Sequence, residues 1–221
     1  LTKLKDASLD AFVLAGMDQG DKGSERALKY LKESTWGATV VNLDRETSVN
    51  YKPLGSDFLV FGIEGTRVDG IEEGDMGKVL RIPANLDEAM LRGLEDLPVD
   101  AILLERPETG TPLALTHMLA IGNVRAATSR YLLLEWDTDL TSRELEHLRD
   151  LGVDGIVLDT EQSSIEMFTR IRQEINALPK RKLKGDQRTT ATLPRIAGLT
   201  HSRVHHEEQD DDDDDDDEVN F

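Results

Sequence analysis

The sequence contains no cysteine, which excludes disulfides and thiolate metal centres and fits the cytoplasm as the expected location. Aromatic residues are scarce at 5%, with two tryptophans, Trp36 and Trp136. That scarcity weighs against a sugar-stacking cleft, even though Glu105 and Glu135 on neighbouring strands would come near retaining-glycosidase spacing. No stretch approaches 18 consecutive apolar residues, so no membrane span is expected. Walker loops, G-x-G-x-x-G, H-E-x-x-H and G-x-S-x-G are all absent. No lysine ends a candidate strand, because Lys78 begins one, and this disfavours Schiff-base chemistry.

Positive charge is the other deficit: 26 Lys and Arg stand against 44 Asp and Glu, a formal net charge of −18. Residues 207–218 carry −11 of it and residues 180–204 carry +6, which leaves −13 on residues 1–179. Such a body lacks the basic face that displaces counterions from nucleic acid, and anionic membranes would repel it. The expected partner is a small-molecule ligand, with self-association left open. Residues 180–221 combine few apolar side chains with blocks of like charge, so a disordered basic-then-acidic tail is expected to follow a folded domain over 1–179.

Within that domain, seven short apolar runs alternate with helical patterns or loops. They are AFVLA (11–15), TVVNL (39–43), DFLVF (57–61), KVLRI (78–82), AILLE (101–105), YLLLE (131–135) and GIVLD (155–159). Their Val, Ile and Leu content is that of strands buried on both faces. Between them, Asn85 with Glu88, and Thr141 or Ser142 ahead of Glu144, read as helix starts. Ser163 or Ser164 opens a last helix with an apolar stripe at Ile165, Phe168, Ile171 and Ile175. Between residues 44 and 78 the connections are short and glycine-containing, so helices there should be reduced. Strand–helix repetition predicts a parallel sheet, as a TIM-barrel-like (β/α) fold lacking its first strand or as an open doubly wound sheet. The opening LTKLKDASLD reads as the end of a helix whose own strand would lie upstream.

Four of these runs end at or beside an acid: Asp44, Glu105, Glu135 and Asp159. Side chains alternate across a strand, so each acid shares a face with the residues two and four positions before it. The opposite set is uniformly large and aliphatic, as in Ile102 with Leu104 and Leu132 with Leu134, which suits packing beneath helices. The acids should therefore point into the barrel at its C-terminal mouth, with Arg81 on the same interior face and Arg106 and Trp136 turned away. Active sites of parallel α/β folds are built at that edge.

Two carboxylates about 6 Å apart repel by roughly 3 kcal/mol at an effective dielectric near 20. Arg81, a hard cation such as Mg²⁺ or Mn²⁺, or protonation of one acid could each relieve this. Hence Glu105, Glu135 and Arg81 are the candidate catalytic groups, and Asp44, Glu105, Glu135 and Asp159 the candidate metal ligands. Ordinary polar punctuation at strand ends is the plainer reading. His117 reads as a structural helix residue. Ser142 and Ser164 offer helix N-termini for an anion, but no glycine-rich phosphate loop follows the last two strands.

LEHLRDLGVDGIVLD (145–159) resembles the last helix–strand segment of many TIM-barrel enzymes. The likeness extends loosely to the phosphoenolpyruvate/pyruvate-type and phosphate-binding barrels, with no specific family signature. It implies a divalent metal on strand-end acids, where Glu105, Glu135 and Asp159 stand, and a metal-assisted lyase or related activity on a small carboxylate. The alternative is a catalytically inactive binding or assembly module.

Overall fold

A computed structural model describes residues 9–16, 22–72, 75–106 and 112–179; the tail expected over 180–221 lies outside the described residues. The strands are β1 (Phe12–Leu14), β2 (Trp36–Val40), β3 (Phe58–Gly62), β4 (Gly77–Ile82), β5 (Ala101–Leu104), β6 (Tyr131–Trp136) and β7 (Gly155–Leu158). They form one parallel sheet in sequence order. Helices α1 (Lys22–Leu31), α2 (Arg45–Tyr51), α3 (Val68–Glu72), α4 (Glu88–Arg92), α5 (Leu115–Ala127), α6 (Ser142–Leu151) and α7 (Ile165–Ala177) alternate with them. Among the described residues no helix is long and apolar enough to cross a membrane.

Local chemistry explains most boundaries. Thr141 and Glu144 form the expected capping box of α6, and Gly152 ends that helix at φ +96°, a conformation costly for any side chain. Ser164 caps α7 by accepting from Met167 N. The start of α4 differs from expectation: Asp87, not Asn85, is the cap, and the helix is only five residues long before a 3-10 turn at Leu94–Asp96. The expected shortening between 44 and 78 is seen in α2 and α3, of seven and five residues.

β2 departs furthest from the sequence reading, running over Trp36–Val40 instead of 39–43. Asn42 adopts φ 58°, in the left-handed region, and turns the chain off the sheet. At the other end Gly37 admits the ring of Phe58, since a Cβ there would lie 2.3 Å from it.

The alternation of side chains divides the core in two. Trp36, Leu80, Ile102, Leu104, Leu132 and Leu134 belong to the large cluster packed beneath the helices. Val60, Val79, Ala101 and Leu103 form a separate cluster on the concave face with Phe58, Leu133 and Val157. In β4 to β7 the faces are those that parity predicted, whereas in β2 Val40 joins the helix-side cluster and not the concave face expected for it. Burying one such aliphatic side chain contributes about 1.5–3 kcal/mol.

At the N-terminal edge, one clasp occurs three times. Asp57, Asp100 and Asp154 stand just before β3, β5 and β7. Their carboxylates accept from Trp36 N (2.9 Å), Lys78 N (2.8 Å) and Leu132 N (2.8 Å) at the starts of the neighbouring strands. Each aspartate also donates its own N–H to the carbonyl of the same residue it accepts from. The amide of the first residue of β2 and of the second residues of β4 and β6 is thus satisfied without a further ladder partner.

Among the described residues, β1 pairs only with β2 and β7 only with β6, so the curled sheet is open by one gap. Helix α7 spans that gap. Phe168 packs on Leu9 and Phe12 at β1 and on Leu158 of β7, and Arg172 holds both oxygens of Asp10 at 2.5 and 2.9 Å.

Candidate functional site

Arg81 is the fifth residue of β4 and shares its concave face with Val79. Glu135 projects from the same face of β6, two strands away, and Glu105 follows β5 directly between them. The guanidinium reaches across β5. Its Nε donates to Glu135 Oε1 at 2.7 Å and its Nη2 to Glu135 Oε2 at 2.9 Å. Nη1 lies 3.2 Å from Glu105 Oε1. This is a planar fork matched to one carboxylate, with a second carboxylate on the remaining nitrogen. The side chains of Arg81, Glu105 and Glu135 are 41%, 35% and 26% exposed, so the trio is open to a ligand from solvent. The hydrogen bonds that Arg81 donates to Glu135, reinforced by the charges of both glutamates, raise the Arg81 pKa above its ordinary value.

A guanidinium has five N–H groups. Two donate to Glu135, while Nη1 meets Glu105 as an ion pair without hydrogen-bond geometry, which leaves the Nη1 N–H groups and one on Nη2 without a described hydrogen bond. Glu105, held by a single longer contact, is the carboxylate that a ligand could displace, whereas Glu135 is fixed by two shorter bonds.

The other two acids are used locally. Asp44 stands beyond β2, at the start of α2, where Oδ1 accepts from Thr47 N (2.8 Å) and Thr47 Oγ1 (2.6 Å). Those bonds hold its carboxyl below the usual range. Asp159 follows β7, and its Oδ1 accepts from Glu161 N at 2.8 Å. Of the four candidate metal ligands, Glu105 and Glu135 meet at Arg81, while Asp44 caps α2 and Asp159 closes a turn. Among the described residues, no three of His, Cys, Asp and Glu are grouped so as to hold a metal ion.

Behind the trio, on the helix side, lies a cluster that sequence reasoning did not assemble. Arg106 turns away from Glu105, as parity predicts, and stacks 4.0 Å above the Trp136 ring centroid while pairing with Asp137. Its side chain is 3% exposed, and burial lowers its pKa. His117 meets the same indole edge-on at 5.4 Å and accepts from Ala114 N through Nδ1 at 2.8 Å. His117 is thus built into the start of α5, in line with its structural reading. The signal available in sequence was that Arg106 and Asp137 each follow a site glutamate within two residues.

A surface concavity of about 580 Å³ lies elsewhere, at the N-terminal edge, lined by Glu95, Arg125, Thr128, Ser129, Gly152 and Asp154 among others. Its polar groups are bonded to one another. Glu95 accepts from Ser129 N, Ser129 Oγ and Thr128 Oγ1 at 2.7, 2.5 and 2.7 Å, which holds its pKa at about 2. Arg125 donates to the carbonyls of Thr128, Arg130 and Gly152. Size notwithstanding, this groove is a structural knot, and the mouth holds the groups with spare bonding capacity.

No protein-family model matches the sequence, and no curated protein does. Solved structures do match. Orotidine 5'-phosphate decarboxylase from Pyrococcus horikoshii OT3 superposes with a TM-score of 0.59 at 13% identity, over 80% of this chain and 91% of that one. Phosphoribosyl anthranilate isomerase from Thermus thermophilus gives 0.57 at 13% identity, over 80% and 93%. The Amycolatopsis orientalis BexX/CysO complex gives 0.55 at 17% identity, over 79% and 81%. This chain has a TIM-barrel-like fold. At these identities the likeness is one of fold alone. Within a TIM-barrel-like protein, the Arg81 trio occupies the edge where such folds carry their active sites.

Proposed function

We propose that this TIM-barrel-like protein binds a small carboxylate at Arg81 and acts on it as a lyase or related enzyme. The observation that carries the reading is the Arg81–Glu135 fork, with Glu105 held more loosely on the third nitrogen. In this reading the ligand carboxylate takes the η nitrogens and displaces Glu105. The released Glu105 then stands beside the bound ligand as general base, for example toward a proton α to a carbonyl. Glu135 keeps the guanidinium planar and in place, and acts as a positioning residue.

The metal-assisted form of this reading has only Glu105 and Glu135 to offer an ion at the trio, and the ion would have to take them from Arg81. Calorimetric titration with pyruvate, and separately with Mg²⁺ and Mn²⁺, tests both forms. Saturable pyruvate binding that Arg81→Gln abolishes supports the carboxylate site. Metal uptake that Glu105→Gln weakens supports the metal-assisted form. Exchange of pyruvate methyl protons for deuterons in D₂O, followed by NMR and lost in Glu105→Gln, separates an enzyme from an inactive binding module. Pyruvate binding that is absent, or equal in Arg81→Gln, overturns the proposal.

A further inference from the structure

The strand glycines on the concave face are not equivalent. A Cβ at Gly37 would lie 2.3 Å from the Phe58 ring, one at Gly77 3.1 Å from Phe58 Cβ, and one at Gly155 2.9 Å from Leu133 Cδ2. Packing demands glycine at 37, where the Phe58 carbonyl oxygen would also lie 2.6 Å away, and a side chain at 77 or 155 would press on its neighbour. Gly62, at the end of β3, is different: a Cβ there meets no described heavy atom within 4 Å, and its φ is not in the left-handed region. Neither sterics nor backbone conformation requires glycine at 62. What its missing side chain creates is open space.

That space adjoins the candidate site. Gly62 is the register partner of Arg81 in the β3–β4 ladder. The guanidinium leans the other way, across β5 to Glu135, and the space directly above Gly62 at the end of β3 is open. On the far side, the Val40–Phe61 pair places Val41 next in line beside Gly62, and Val41 is 81% exposed. An exposed valine just past β2, an unfilled glycine ending β3 and the flank of Arg81 on β4 thus stand at the C-terminal ends of three successive strands. Glu105 and Glu135 lie to the other side of Arg81, and on this side the exposed side chain following β2 is the apolar Val41, with the Thr66 hydroxyl bonded to the Gly62 carbonyl.

We infer that the bay over Gly62, between Val41 and Arg81, receives the apolar body of the ligand whose carboxylate meets Arg81. The inference rests on the small-carboxylate reading above and narrows it to short-chain acids carrying an aliphatic or flat apolar portion, in preference to compact polar ones. Gly62 is a specificity-determining residue: a side chain at that position would occupy the volume the ligand body needs.

Paired titrations with pyruvate and 2-oxohexanoate, which adds three methylenes to the same head group, test this. The wild-type protein should bind 2-oxohexanoate about tenfold more tightly, the worth of roughly two buried methylenes. In Gly62→Val that ratio should fall to near one, and in Val41→Ser it should fall by about half or more on a logarithmic scale. A valine in a strand is expected to maintain or raise the melting temperature. If Gly62→Val does not fold, Gly62→Ala and Val41→Ser give the graded result. Equal affinity for the two acids in the wild type, or an undiminished preference in the folded variants, overturns the inference while leaving the Arg81 site standing. If neither acid binds, both readings fail together.

Discussion

Arg81 Nε and Nη2 meet the two oxygens of Glu135 at 2.7 and 2.9 Å, joining β4 to β6 across an intervening strand. Lysine presents a point charge and cannot reproduce that planar fork. Arg81→Lys should therefore cost the fold little, about 1 kcal/mol or less for a pair this exposed. It should nevertheless abolish pyruvate binding. Equilibrium unfolding in urea and calorimetry on the same sample check the two halves separately.

The Arg106–Asp137 pair is buried and should behave in the opposite way. Asp137→Ala strands a guanidinium over Trp136, at an expected cost of about 3–5 kcal/mol. The double variant Arg106→Met/Asp137→Leu removes both charges and should recover most of that loss. Urea midpoints for the three variants check it; a double variant as unstable as the single one would contradict it.

Glu95 gives a pH dependence of known sign. Its folded-state pKa is depressed to about 2, chiefly by the Ser129 hydroxyl, then by Ser129 N–H and the Thr128 hydroxyl. A depressed carboxylate stabilises the fold above its unfolded pKa of about 4.3, and that contribution fades as pH falls toward the folded value. Glu95→Gln should lower the melting temperature at pH 7. The gap to wild type should narrow as pH falls from about 4.3 toward 2, and melting curves across that range check it.

The three aspartate clasps predict a graded set. Asp57→Ala and Asp154→Ala, whose bonds are partly buried, should each cost about 1–2 kcal/mol. Asp100→Ala, at an exposed bond, should cost less. Denaturant titration of the three single variants provides the comparison.

Much of this was legible in the sequence because period-two alternation is a local property. Parity alone placed Glu105, Glu135 and Arg81 on the concave face and Arg106 and Trp136 behind it. It failed in β2, where Val40 already packs on the helix side and the turn at Asn42 then ends the alternation before Asp44. The pairing of Arg106 with Asp137 was not legible, since it depends on β5 and β6 being neighbours in register. The clasp motif was present as the recurrent Asp in GSDFLVF, PVDAILLE and GVDGIVLD, but its meaning is a bond to another strand. The open bay at Gly62 could not be read either, because an unfilled volume leaves no mark in a sequence.

The central claim is that the Arg81 guanidinium is an ordered ligand-receiving group and not an ordinary surface arginine. The most direct measurement is ¹⁵N NMR of its side-chain N–H resonances, assigned by their loss in Arg81→Lys. The account predicts a resolved, exchange-protected Nε–H before ligand is added, with η resonances that shift saturably as pyruvate is titrated. A solvent-averaged Arg81 signal that pyruvate leaves unmoved would contradict it.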